Sequence, residues 1–303
     1  MKQHIILYYK FNPITNPEDF RDKTKEFCEK HNLLGRIIIT KNGINGTLGG
    51  KKEAIENYKE FLHSYKGFED VWFKEHVVGE NPFPRLKVRS RDELCTLRSG
   101  ELNPKDGGKH LSPKEVNEMV EKGEAVFFDA RNDYESAIGK FDGAITPNIR
   151  TFYDLPKVLP QYKEQLKGKK VIMYCTGGVR CETASVLLKN EGIEDVYQVE
   201  GGIYNYCQEY PQGHFKGSCF VFDDRMQVAW DKEGNLIDHT QMKDEDMISE
   251  CVFCQKKCAR VINDERYLER VATICCEECD LKNDLSRPRT KEERKEMILN
   301  QKR

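Results

Sequence analysis

The 303-residue sequence has no apolar run approaching the about 18 residues that a membrane-spanning helix needs, so no membrane partner is expected. It has no excess of one charge either. Lys and Arg number 49 against 51 Asp and Glu, so no global basic field marks a nucleic-acid binder. A flavin or nicotinamide fingerprint is missing, as is a histidine/carboxylate triad for iron. The strand-like run Met1–Tyr8 is too short for the apolar core and cleavage site of a signal peptide, so a cytoplasmic protein is expected. In that compartment twelve cysteines point to metal binding and catalysis rather than to disulfides.

One cysteine stands at a strand-to-helix crossover. Lys170–Tyr174 is a short apolar run that predicts a buried strand, and Cys181–Lys189 has helical spacing and good helix formers. Between them lie Cys175, Thr176, Gly177, Gly178, Val179 and Arg180. Adjacent glycines let backbone N–H groups turn toward one centre. The helix start adds the positive end of its dipole, and Arg180 adds a full charge. Such surroundings favour the thiolate, the reactive form, and make Cys175 the candidate catalytic residue. The plain alternative is a buried strand-end cysteine before an ordinary Gly-Gly turn. Cys181 is either a resolving thiol toward an oxidised Cys175 or a small packed side chain.

The flanks carry further motifs. Ala125–Arg131 predicts a strand ending in Asp129-Ala130-Arg131, Gly139–Ala144 holds a Gly-x-x-x-Gly-Ala turn, and Asp195–Val199 predicts a strand closed by Glu200-Gly201-Gly202-Ile203. This order resembles the rhodanese domain over residues 108–215. The resemblance implies a doubly wound parallel sheet with the thiolate at the carboxyl ends of the strands. Asp129 and Arg131 end at that edge. Either Arg131 binds an anionic group with Asp129 orienting it, or the two form a structural turn. Arg150, in the next connection, is placed to join them.

Residues 1–95 predict an α+β unit. Strands are expected at His4–Tyr9, Gly35–Thr40, Gly46–Gly50 and Val71–Val78, with helices at Pro17–His31 and Lys52–Tyr65. The order is that of a ferredoxin-like, or acylphosphatase-like, split β-α-β sheet. Arg85–Val88 predicts one more strand leaving this unit. Gly43–Gly46 reads as a hairpin turn at an edge or end of the sheet, and with Arg36 and Asn45 it is a candidate RNA contact. Residues 96–107 read as a linker, and Ser112, Pro113 and Glu115 then mark a helix start.

Residues 216–303 form a cysteine-rich module with a basic tail. Cys219–Phe222 and Gln227–Trp230 predict a hairpin-like pair. Cys251-x-x-Cys254 and Cys276-x-x-Cys279 are spaced as two knuckles that can supply four thiolates to one structural Zn²⁺, with an Fe–S cluster or reduced surface thiols as the alternatives. Cys275 competes with Cys276 for that role, and Cys258 is an extra candidate. Local basic stretches compensate for the neutral total: Arg85–His110 holds seven Lys and Arg against four acids, and Lys282–Arg303 eight against four. Either stretch suits RNA phosphates, or a solvated face.

The Cys175–Glu182 loop, Asp129–Glu135 and Gly43-Ile44-Asn45-Gly46, followed by a cysteine-rich module, together resemble the oxygen-dependent tRNA uridine hydroxylase family across essentially the whole chain. Asn42 departs from the acidic residue expected before Gly43. The resemblance implies C5 hydroxylation of the wobble uridine to 5-hydroxyuridine, tRNA as partner and molecular oxygen as co-substrate. A sulfurtransferase carrying a Cys175 persulfide is the alternative, since the loop favours either sulfur species. A non-catalytic scaffold has no need of the cysteine. No protein partner is indicated.

Overall fold

The computed structural model describes residues 2–267, 271–290, 292–294 and 296–297. Its first unit contains β1 (Gln3–Phe11), α1 (Pro17–Lys30), β2 (Leu34–Thr40), β3 (Gly43–Gly50), α2 (Lys52–His63), β4 (Lys74–Val78) and β5 (Leu86–Ser90). The Asn16 side chain accepts from the Asp19 N–H and Pro17 opens the first turn, which fixes where α1 begins. Phe20, Thr24 and Cys28 repeat at helical spacing and face the sheet. Strand order is β4-β1-β3-β2-β5, so the expected split β-α-β sheet is present.

Two details depart from expectation. β5 does not leave the unit; it extends the sheet edge, parallel to β2. The Gly43–Gly46 segment is not a turn: Lys41 and Asn42 turn, and Gly43 begins the central strand β3. Glycine is there to make room. Gly46 lies opposite Tyr8, and a Cβ on it would come within 2.3 Å of the Tyr8 ring.

The second unit contains β6 (Lys109–Leu111), α3 (Pro113–Glu121), β7 (Ala125–Asp129), α4 (Asp133–Ser136), β8 (Gly139–Phe141), α5 (Leu155–Val158), α6 (Lys163–Leu166), β9 (Lys170–Tyr174), α7 (Val179–Asn190), β10 (Val196–Val199) and α8 (Gly202–Glu209). The Ser112–Glu115 capping box starts α3. Its sheet, β6-β10-β9-β7, is parallel throughout. β9 is buried on both faces. Val171 and Met173 join Ala184 and Leu188 in one core, while Ile172 and Tyr174 join Phe141 and Tyr206 in the other. Each such apolar side chain contributes roughly 1.5–3 kcal/mol relative to exposure. Leu97, in the 96–107 stretch, is buried in the first of these cores.

The remaining elements are β11 (Phe215–Gly217), β12 (Cys219–Phe220), β13 (Gln227–Trp230), β14 (Leu236–Ile237), β15 (Val261–Asn263), β16 (Ala272–Ile274) and α9 (Glu277–Asn283). β12 and β13 form the hairpin-like pair. β11 pairs with β8, and Cys219, Val221 and Val228 share the core of Tyr174 and Tyr206. Among the described residues no helix is long and apolar enough to cross a membrane. Lys291, Lys295, Lys302 and Arg303 of the basic tail lie outside the described residues.

Candidate active site

β9 carries Cys175 to the carboxyl edge of the parallel sheet, and α7 begins four residues later. Gly178, with φ +102°, turns its N–H onto the Cys175 sulfur at 3.1 Å. The Cys175 carbonyl accepts from the Ile203 N–H at 3.0 Å. This seats the loop on the Gly201-Gly202 turn, where a Cβ on Gly202 would stand 2.4 Å from the Cys175 carbonyl oxygen. Burial opposes ionisation of Cys175. The Cys181 thiol, the Arg180 guanidinium and the N–H groups of Arg180 and Gly178 more than offset it, lowering the thiol pKa to about 5. At neutral pH the sulfur is therefore a thiolate. Cys181 is fully buried; burial first, and then the neighbouring Cys175, push its own pKa well up, so it acts as a protonated donor.

Arg180 is held on both nitrogens by the Glu135 carboxylate, at 2.7 and 2.8 Å. This two-pronged pair locks the loop to α4 while leaving the cation beside Cys175. Arg131 is corrected from its anion-binding expectation. It is wholly buried and donates to both Asp129 oxygens and to the Gly139 carbonyl. The Asp129–Arg131 pair is structural. Arg150 does not join it: half-exposed, it lies 3.5 Å from Asp133 and over the Tyr134 ring.

Cys175, Thr176, Gly177, Val179 and Arg180 line one side of a cleft of about 450 Å³. The other side comes from the first unit and includes Tyr9, Arg36, Asn45 and Lys74. The structure thus brings Arg36 and Asn45 to the thiolate cleft. Tyr9 and Lys74 were not singled out from the sequence, where they are alternating strand residues with no motif. Lys74 is 6 % exposed, with its ammonium 4.6 Å from the Trp72 ring centre and 5.3 Å from that of Tyr9. Burial lowers its pKa to about 8, against the opposing pull of Cys175, Glu200 and Glu182. The Tyr9 hydroxyl donates to Glu182 at 2.8 Å, joining the two units across the cleft. Next to the cleft, a hollow of about 300 Å³ shares Arg36, Phe83 and Phe222 with it and adds Arg85 and Lys87.

At the C-terminal end the sulfurs of Cys251, Cys254, Cys276 and Cys279 all lie within 4.8 Å of one another, and those of Cys254 and Cys276 are 3.6 Å apart. A tetrahedral thiolate site with metal–sulfur bonds of about 2.3 Å sets its sulfurs about 3.8 Å apart. The cluster fits a metal ion. Cys275 and Cys258 stand outside the set. Cys275 is buried and directs its thiol to the Cys276 carbonyl, and Cys258 directs its own to the Arg260 carbonyl.

Comparison with known proteins agrees with these parts. Family matches fall on residues 3–94 (UPF0176 acylphosphatase like domain), 112–209 (Rhodanese-like domain) and 216–287 (Rhodanase C-terminal). The tRNA uridine(34) hydroxylase of Arthrobacter sp. (strain FB24) is 41 % identical over 91 % of this chain and 93 % of its own. That of Corynebacterium urealyticum is 39 % identical over 92 % and 93 %, and that of Bacillus mycoides 38 % over 92 % and 86 %. A solved rhodanese-like domain from an Anabaena species aligns with a TM-score of 0.30 and 18 % identity over 36 % of this chain and 78 % of its own. At such identity to full-length relatives, this chain belongs to the tRNA uridine(34) hydroxylase family.

Proposed function

We propose that this chain hydroxylates C5 of uridine 34 in tRNA, with Cys175 as the nucleophile and molecular oxygen as co-substrate. One observation carries the reading. A thiolate with a strongly lowered pKa lies in a base-sized cleft whose facing wall belongs to a second folded unit. Enzymes that act on a base in a loop take it out of its stack and hold it in such a cleft. The thiolate adds to C6 of the uracil, and the ring electrons shift toward C5, which becomes the carbon that meets oxygen. Lys74 offers a positive charge to the oxygen anion that forms on the ring. Arg36 and Asn45 contact the RNA at the cleft, and the exposed Arg85, Arg89 and Arg91 follow its phosphates. Cys251, Cys254, Cys276 and Cys279 would hold a Zn²⁺ that supplies folding energy to a module with little core of its own. Its place of action is the cytoplasm, where its substrate is.

The test is nucleoside mass spectrometry of tRNA from aerobic cells that lack the chain and every parallel route to the same nucleoside. Complementation with wild type should restore 5-hydroxyuridine-type nucleosides, and Cys175→Ser should not. If the nucleosides persist without the chain, the reading fails. A Cys175 persulfide detected in the purified protein would then turn attention to sulfur transfer.

A further inference from the structure

Three side chains link the thiolate cleft to solvent at a second place. Tyr9 lines the cleft, and its hydroxyl stands close over Gly178, whose N–H holds the Cys175 sulfur. That hydroxyl donates to Glu182 Oε1 at 2.8 Å. The same oxygen lies 3.0 Å from His110 Nε2. The Glu182 side chain is 10 % exposed, whereas that of His110 is 44 % exposed. His110 opens on a hollow beside Lys105, Lys109 and Lys189 that shares no lining residue with the cleft. This second opening lies apart from the cleft that would hold the base.

We propose that Tyr9, Glu182 and His110 form a proton exit that completes the hydroxylation. The proposal rests on the reading above and adds residues to it. Placing one oxygen of O2 on C5 as a hydroxyl releases the other as water and takes two electrons from a small-molecule thiol reductant; C5 then carries a hydroxyl and a hydrogen, and C6 carries the Cys175 sulfur. Restoring the aromatic ring requires loss of the C5 proton. Tyr9 Oη takes that proton while its own phenolic proton passes to Glu182. The C5–H electron pair becomes the C5–C6 double bond. The C6–S bond breaks, and its electron pair leaves with sulfur as the Cys175 thiolate. Glu182 hands its proton to Nε2 of His110 in its Nδ1–H form, and the imidazolium then releases the Nδ1 proton to solvent. In this elimination no electron enters or leaves.

Tyr9 is the catalytic residue of the three, and Glu182 and His110 act through it. Burial and the nearby Glu182 and Cys175 hold the Tyr9 pKa well above its usual value, so a free phenolate is disfavoured. Handing the phenolic proton to Glu182 in the same step avoids one. The surrounding charges are known. Tyr9 faces Glu182, Cys175, Cys181 and Lys74; Lys74 also faces Glu182 and Glu200; His110 faces Glu182 and Glu200. Hydrogen bonding to Glu182 raises the His110 pKa above its ordinary value.

The experiment uses the full-length purified chain, tRNA, air and dithiothreitol as two-electron donor, with initial rates of nucleoside formation followed from pH 6 to 9. General acid–base catalysis is worth about 10²–10⁴-fold, so Tyr9→Phe should slow turnover by about a hundredfold with KM for tRNA unchanged. Removing only the outer member should cost less: His110→Ala is expected to slow turnover roughly tenfold. The wild-type acid limb, set by neutral His110, should disappear in this variant, and imidazole in the buffer should restore its rate. A clamp that merely joins the two units predicts no such rescue. Because His110 is at the surface, its removal leaves the fold standing, and an unchanged rate of Cys175 alkylation by iodoacetamide verifies this. If His110→Ala matches wild type in rate and pH profile, or if imidazole restores nothing, the relay is wrong although the hydroxylase reading survives. A wild-type chain that forms no hydroxylated nucleoside overturns that reading and the relay with it.

Discussion

Two places in this chain gather sulfur, one as a single thiolate and the other as a cluster of four. Around Cys175 the compensation is built from the protein itself: backbone N–H groups, the Cys181 thiol and the Arg180 cation. All of these approach from the loop and the helix behind it, and Cys175, only 1 % exposed, borders the cleft on its other side. At Cys251, Cys254, Cys276 and Cys279 four sulfurs converge within 4.8 Å, with backbone N–H groups directed at Cys251 and the exposed Lys256 near Cys254 and Cys276. That arrangement calls for a metal ion in the middle, and a tetrahedral ion leaves no sulfur lone pair pointing outward. Whether a cysteine is reactive or inert therefore depends less on its own burial than on which side its counter-charge occupies.

The sharpest way to break the comparison is to exchange the sulfur for oxygen at each site. Cys175→Ser should lower tRNA hydroxylation by about a thousandfold or more, as nucleophile replacements do, while bound metal stays as in wild type. Near-wild-type turnover would remove Cys175 from the chemistry. Cys254→Ser should do the reverse. It should release bound metal, measured by elemental analysis, and unfold the C-terminal module, with the largest change seen in hydrogen exchange of residues 249–285. An unaltered metal content in that variant would mean the four sulfurs do not form one site.

Smaller changes test how the loop is held. Glu135→Gln leaves the buried Arg180 without its anion, and breaking such a pair costs about 3–5 kcal/mol, to be measured by urea denaturation. Arg180→Met removes the cation beside Cys175, so the midpoint of the iodoacetamide pH profile should move up from about 5. Linkage gives a related sign. The folded thiol ionises near 5 and the unfolded one near about 8.5, so the unfolded chain binds the extra proton between these values. The stabilisation from this thiolate is complete above the unfolded pKa and is lost as pH falls through about 5. The stability gap between wild type and Cys175→Ala should accordingly shift in favour of wild type as pH rises across that window. The smallest expected effect lies outside both sulfur sites. Arg89→Ala should weaken tRNA binding two- to threefold and reduce the salt slope by about 1, with kcat unchanged.

Local chemistry made much of this legible in advance. A strand, a glycine pair and a helix within twenty residues announce the Cys175 loop, and the Ser112–Glu115 box announces α3. Two Cys-x-x-Cys pairs announce the sulfur cluster. What escaped notice depended on distance along the chain. Tyr9 and Glu182 are 173 residues apart, and neither carries a pattern that names the other. Lys74 looks like any charged residue near a strand end; only the rhodanese loop lying against it turns it into a buried cation. Gly43–Gly46 was misread for a different reason. Glycines signal turns through their backbone freedom, yet Gly46 is needed for the space above it, which belongs to Tyr8 on the neighbouring strand. Arg131 failed as an anion binder because the side chain turns back into the sheet to meet Asp129, a choice that a two-residue spacing does not reveal.

The wall that Tyr9 and Lys74 contribute comes from the first unit, which has its own core of Ile6, Phe20, Ile37, Ile55 and Tyr58. On the ribosome that unit emerges first and has what it needs to close before the thiolate loop is made. At about 5–20 residues per second, several seconds separate the emergence of residue 95 from that of Glu182. The acidic thiol of Cys175 is thus born into a cell where its cover is already waiting. A rearranged gene that placed residues 1–95 after the cysteine loop would reverse that order, and every nascent chain would pass through an interval with its most oxidisable sulfur unshielded.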